Sequence, residues 1–220
     1  MTGNTTLRRL FTDELRDIYH AERQLVKALP KLAKASTSPD LREALDSHLQ
    51  ETEEHVSRLE QAFDLMDETA KTKACAGMLG IVEEGSELIK ELDKGAARDA
   101  GIIAGAQRAE HYEIAVYGTL MTWAKALGHD DVAELLSATL EEEKAADEKL
   151  SELAEAGINE AAKSGSEDEE EEDAGDGADD DESTGSGERR RQPQMAGARA
   201  GSTASRSSAG KSRTGNGRSR

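Results

Sequence analysis

Residues 6–35 read TLRRLFTDELRDIYHAERQLVKALPKLAKA, and this stretch decides the fold class. Phe11, Leu15, Ile18, Glu22, Leu25, Leu29 and Leu32 recur at alternating intervals of three and four, the signature of one helix face. Six of the seven are apolar and the central one is a glutamate. A carboxylate aimed into a helix-bundle core costs several kcal/mol (about 3–5) unless a cation or a proton neutralises it. Pro30 lies near the end of the stretch and is expected to kink its last turn without abolishing it.

The next break, Ser36 to Asp40, carries Ser38 as N-cap, Pro39 at the first helical position and Asp40 beside the positive end of the dipole. A second helix then runs to about Met66, with Leu41, Leu45, His48, Thr52, His55, Leu59 and Met66 inward and Glu51 flanking that stripe. A shorter amphipathic stretch follows, about Lys73 to Leu92, with Gly95 as its C-cap. Two more long helices are expected, about Arg98 to Leu127 and Asp131 to Glu155, with Gly128 ending the first and Asp130 capping the second. No alternation of strand type persists beyond a few positions. The chain is therefore read as all-α: a four-helix bundle built from two long hairpins, with a short helix in the crossover.

The glutamate interruption recurs on every long helix. Glu22, Glu51, Glu110 with Glu113, and Glu143 each fall near mid-helix. Taking the hairpin turns at about residues 37 and 129, and ~1.5 Å of rise per residue, Glu22, Glu51, Glu113 and Glu143 lie ~20–24 Å from their turns in helices ~40 Å long. The four levels can meet at the centre of the bundle. Carboxylates with one or two imidazoles, projected from four helices, suit iron or manganese in a dinuclear centre. The candidate ligands are Glu22, Glu51, His55, Glu110, Glu113 and Glu143, with His48 and Asp147 as further candidates. The usual Glu-x-x-His pairs are missing: helix two reads His48-x-x-Glu51-x-x-x-His55, and the last helix offers Glu143 and Asp147 with no histidine.

Simpler readings stand beside these. A lone helix glutamate is usually solvated, and His48 and His55 read equally as ligands or as buried, hydrogen-bonded structural histidines. His20 and His111 lie off the main stripes. Tyr19, Tyr112, Tyr117 and Trp123 are read first as packing residues, with Tyr117 also placed for an electron relay one turn beyond Glu113. Cys75 reads as a small buried residue. Its being the single cysteine rules out an intrachain disulfide and fits a reducing compartment.

Composition sets further bounds. Residues 167–220 hold only Met195 from the set Leu, Ile, Val, Phe, Met, Trp and Tyr. They open on an acidic run, Glu167 to Asp173, and then turn basic and rich in Ser and Gly. Such a segment cannot bury enough apolar surface to offset the entropy of ordering it. Two regions are expected: a bundle over 1–160 and a disordered, acidic then basic tail over 161–220. The chain has a formal net charge of −18, and 13 acidic and 9 basic residues in 167–220 leave −14 to residues 1–166. An acidic bundle argues against a nonspecific grip on nucleic acid, leaving at most weak contact through the tail arginines. The longest uncharged run in the bundle, Ile114 to Ala124, falls short of the ~20 residues of a membrane span, and the N-terminus carries no signal-peptide pattern. A soluble, cytoplasmic protein is expected.

Five stretches carry a family resemblance: DELRDIYHAE (13–22), HLQET (48–52), CAGMLG (75–80), EHYEIAVYG (110–118) and LEEEK (140–144). They resemble the YciE/YciF family of ferritin-like proteins, over about residues 5–156, and EHYEIA is the most specific of them. The resemblance implies a ferritin-like bundle, commonly a homodimer, associated with bacterial stress responses and usually inferred to hold a dinuclear metal site. Three function classes follow: a di-iron or dimanganese redox enzyme acting on peroxide or dioxygen, iron sequestration through a ferroxidase step, and a non-catalytic bundle acting through protein interaction. Nothing in the sequence signals a hollow cage, which disfavours sequestration.

Overall fold

The structure, a computed structural model, describes residues 6–164. Five α-helices follow in order: α1 (Leu7–Ala35), α2 (Pro39–Leu65), α3 (Ala76–Glu91), α4 (Ala96–Ala126) and α5 (Asp130–Leu153). No strand occurs among the described residues. The expected tail over 161–220 lies outside them from residue 165 onward, and helix continues through the expected boundary at 160, over residues 159–164.

Local chemistry sets most helix ends. Thr6 caps α1, its hydroxyl accepting from Arg9 N, and Ser38 caps α2, accepting from Leu41 N at 3.3 Å, with Pro39 and Asp40 in the first turn. Helix α1 runs through Pro30 to Ala35. Two caps differ from the sequence reading. Leu92, not Gly95, closes α3, and Gly95 sits instead at the N-cap of α4 with φ 153, where the two-residue link Asp93-Lys94 reverses the chain. His129 rather than Asp130 is the N-cap of α5, because Gly128 at φ 78 completes the turn one residue earlier. Cys75 caps α3, so that helix starts three residues later than expected. After Leu153 the helix loosens into a π turn, Ala154–Ile158, broken at Gly157.

The hairpins α1–α2 and α4–α5 form the four-helix bundle, with α2 packed on α5 and α1 on α4. Arg8 at the start of α1 meets His129 beyond the end of α4, and the α1–α2 turn meets Asp99 at the start of α4. Thus α1 and α4 run antiparallel, and α2 and α4 run parallel, the arrangement a long crossover permits. Helix α3 lies across α1 and α4. Asp99 is buried and receives the backbone N–H groups of Thr37 at 2.8 Å and Ser38 at 2.7 Å, fastening one hairpin's turn to the other's first helix. Phe11, Leu15, Ile18, Leu41, Leu45, Leu59, Phe63, Leu120 and Leu136 fill the core. That burial is the main stabilising term, at roughly 25 cal/mol per Å² removed from water.

Candidate metal centre

Glu22, Glu110, Glu113 and Glu143 are all buried in the middle of the bundle, as the sequence reading requires, and His48 and His55 join them from α2. Two groups of three can each close on one cation, their ligand atoms within 4.8 Å of one another: Glu22, His55 and Glu143, and His48, Glu110 and Glu143. Glu143 belongs to both. In the first group His55 Nδ1 lies 3.0 Å from Glu143 Oε1 and 3.7 Å from Glu22 Oε1. In the second, His48 Nε2 lies 3.2 Å from Glu110 Oε1 and 3.9 Å from Glu143 Oε2. The two imidazoles therefore present opposite ring nitrogens.

The outward nitrogen of each ring is held by a further carboxylate. His55 Nε2 meets Glu142 Oε2 at 2.9 Å, and Arg58 in turn clasps Glu142 with two donors, one of them Nη2 to Oε1 at 2.8 Å. The Arg58 hydrogen bond is the main cause that holds Glu142 below the ordinary carboxylate range, so this carboxylate accepts the Nε2 proton. His48 Nδ1 meets Glu51 Oε2 at 3.3 Å. Carboxylates behind ligating histidines fix the tautomer and aim the free nitrogen inward. Tyr117, wholly buried, donates its hydroxyl to Glu22 Oε1. It is a packing residue and a hydrogen-bond partner of the centre at once.

Some candidates are not brought together. Glu51 is half-exposed and touches the centre only through His48, because it sits between the inward positions 48, 52 and 55 of α2. Asp147 turns toward His111 Nε2, 3.3 Å away on the outer side of α4. Glu113 is in the core beside Glu143, Glu22 and Glu110, which add charge repulsion to its burial, but it belongs to neither group of three. The sequence reading missed Glu142 and Arg58. The available signals were the adjacency of Glu142 to Glu143 and the spacing of three between His55 and Arg58, which puts both on one face. Cys75 is buried as expected: its Sγ lies 3.0 Å from the Tyr112 hydroxyl, which donates to Asp17, and burial pushes its thiol up. His20 accepts the Cys75 N–H and His111 is exposed.

Whether a metal suits these residues is tested by their unmet bonding. Glu22 Oε2, Glu110 Oε2, both oxygens of Glu113, both of Glu143 and His55 Nδ1 are buried without a hydrogen-bond partner. The 3.0 Å approach of His55 Nδ1 to Glu143 is an ion-pair contact that lacks hydrogen-bond geometry. Buried polar atoms are almost always paired, so seven in one cluster mark a missing partner. Oxygen and imidazole donors suit hard to borderline divalent ions, and two such ions would balance the four central carboxylates. Without an ion, protons must do so. Burial is the first cause that raises Glu22 and Glu113, and it pushes Glu143 up to about 7. Burial pulls His55 down, but Glu143 and Glu22 outweigh it and push the imidazole up to about 10; His48 is raised in the same way, chiefly by Glu110. The residues fit a cation pair.

Two cavities border this centre. A cleft of about 570 Å³ between α2 and α5 is lined by Asp40, Glu43, Glu51, His48 and Glu110, among others, with Lys149 at its edge. A much smaller cavity, about 50 Å³, lies among α1, α3 and α4 and also includes Glu110 in its wall.

The family described as "Domain of unknown function (DUF892)" matches residues 6–163. Protein YciF of Escherichia coli K12 is 44% identical over 160 residues, covering 72% of this chain and 96% of YciF. The crystal structure of that E. coli stress protein superposes with a TM-score of 0.68 over 71% of this chain and 99% of its own. YcfI of Rhodopseudomonas palustris, proposed as a structural protein, is 44% identical with a TM-score of 0.65, over 67% of this chain and 94% of its own.

Proposed function

This chain belongs to the DUF892 family, to which its YciF-like sequence and helical bundle both assign it, and from that premise we propose that it is a stress-response protein whose bundle holds two divalent cations, iron or manganese. The observation that carries the reading is the cluster of seven buried ligand-type atoms without partners. In this reading Glu22, His55 and Glu143 would hold one cation and His48, Glu110 and Glu143 the other, with Glu113 in reserve as a further carboxylate. Such a pair, when bound, supplies the electrons for reducing peroxide or dioxygen.

The chain's own residues do the rest. Glu142 and Glu51 keep the inward ring nitrogens of His55 and His48 free of protons when a cation competes for them. Tyr117 orients Glu22 through its hydroxyl. The acidic cleft draws cations toward His48 and Glu110. The apolar residues around the carboxylates exclude water, which strengthens every charge interaction inside.

Metal analysis of purified protein loaded anaerobically with Fe(II) or Mn(II) tests the reading. Two ions per chain are expected in the wild type, about one in His48→Ala or His55→Ala, and none held tightly in Glu143→Ala. A wild-type protein that retains no ion would overturn it. The competing reading, a bundle that acts only through protein contacts, draws on the description of YcfI as a structural protein. It is favoured if the loaded protein binds its ions but leaves both peroxide and dioxygen unchanged.

A further inference from the structure

The small cavity among α1, α3 and α4 is apolar and ends on a functional residue. Leu25 and Leu29 of α1, Val82 of α3, and Ile102 and Ala106 of α4 form its wall. Glu110, buried with Oε2 unpaired, lines it as well as the polar cleft on the other side. Apart from that oxygen, the cavity offers water little. A buried water needs two to four polar partners, and the one side-chain hydroxyl in the wall, that of Ser86, donates to Val82 O at 2.8 Å. Lys31 is exposed and belongs to the outer rim. A mostly apolar space of about 50 Å³ is large enough to hold a diatomic apolar molecule.

Two glycines keep it open. Gly85 in α3 and Gly105 in α4 both line the cavity, and a Cβ built at either would meet nothing within 4 Å. Packing explains other helix glycines in this region: a Cβ at Gly77 would come 2.8 Å from the Tyr112 ring, and one at Gly101 2.8 Å from Leu88. At 85 and 105 no neighbour demands glycine. Both sit inside helices, where glycine is costly relative to alanine. Their common effect is to leave space beside Glu110.

We propose that this cavity binds dioxygen and conducts it to the Glu110 side of the centre, leaving the acidic α2–α5 cleft to cations and polar solutes. Its use as a route rests on the metal-centre reading; its occupancy does not.

The test is dioxygen-induced paramagnetic relaxation of methyl groups, measured on metal-free full-length protein. Methyls of Leu29 and Ile102 should relax several-fold faster than those of Leu41 and Leu59, which are equally deep in the core but away from the cavity. Gly85→Ala with Gly105→Ala should erase the excess. Gly80→Ala, in the same helix as Gly85 but exposed and outside the cavity, should leave it intact and so controls for helix propensity. Enhancement that follows burial alone, survives filling of the cavity, or vanishes equally in Gly80→Ala would overturn the proposal. Because no metal is present, that failure is distinct from a failure of the protein to bind ions, which the stoichiometry experiment reads separately.

Discussion

His55 turns Nδ1 toward Glu143 at 3.0 Å and commits Nε2 to Glu142 at 2.9 Å, so one ring joins the buried cluster to the Arg58–Glu142 clasp. The clasp is the part of the site most open to test without disturbing the core.

Glu142→Gln keeps the size of the side chain but removes the charge that holds the Nε2 proton. Loss of such a partner costs about 10- to 100-fold in metal affinity. That loss is expected here, confined to the ion at Glu22 and His55, with helicity unchanged. Equilibrium dialysis with each ion quantified checks it; equal affinity in wild type and variant would remove Glu142 from the site.

Metal-free protein should lose stability as pH rises. Glu143, with its ordinary value near 4.5 raised to about 7, contributes stability that is complete below 4.5 and lost as pH climbs through 7. His55, raised from 6.5 to about 10, acts in the same sense, with its contribution complete below 6.5 and lost through 10. The melting temperature of the metal-free form should therefore fall by about 5–10 °C between about pH 5 and pH 9. Saturating metal should flatten or invert that slope, because binding displaces the same protons. Thermal melts with and without Mn(II) across this range decide the matter.

Tyr117→Phe removes the donor to Glu22 Oε1. That hydrogen bond lowers the Glu22 pKa against the larger effect of burial, so its loss raises it further and lets protons compete better with a cation. Apparent metal affinity should fall at neutral pH and recover as pH is raised. Titrations at two pH values check this, and an affinity gap independent of pH would assign Tyr117 to packing alone.

Asp99→Ala strips both acceptors from the α1–α2 turn. Leaving the Thr37 and Ser38 N–H groups without partners should cost about 2–4 kcal/mol, or roughly 5–10 °C in melting temperature. Asp99→Asn retains one oxygen and should lose less. Calorimetry of the two variants ranks them.

Helices are legible in this sequence because the apolar stripes are long and their ends carry Ser38-Pro39, Gly128 and similar stops. The buried glutamates are legible for the same reason, as each interrupts a mostly apolar stripe. What depends on rotation by a single residue is not. Glu51 and Glu142 each stand one residue away from a buried position, and periodicity alone cannot say whether such a residue enters the centre or backs a histidine. The Asp99 clasp joins residues 61 and 62 positions apart, a relation no local pattern encodes. No helix among the described residues is long and apolar enough to cross a membrane.

Both imidazoles stand on α2, seven residues apart, and their ring centroids are 6.4 Å from each other. Two turns of one rigid rod thus act as a gauge for the whole centre, with the other three long helices contributing only carboxylates. An insertion or deletion of one residue between His48 and His55 would rotate one ring by ~100° out of the core. Length variation is therefore forbidden in this half of α2, whereas the exposed link after α3 is free to drift.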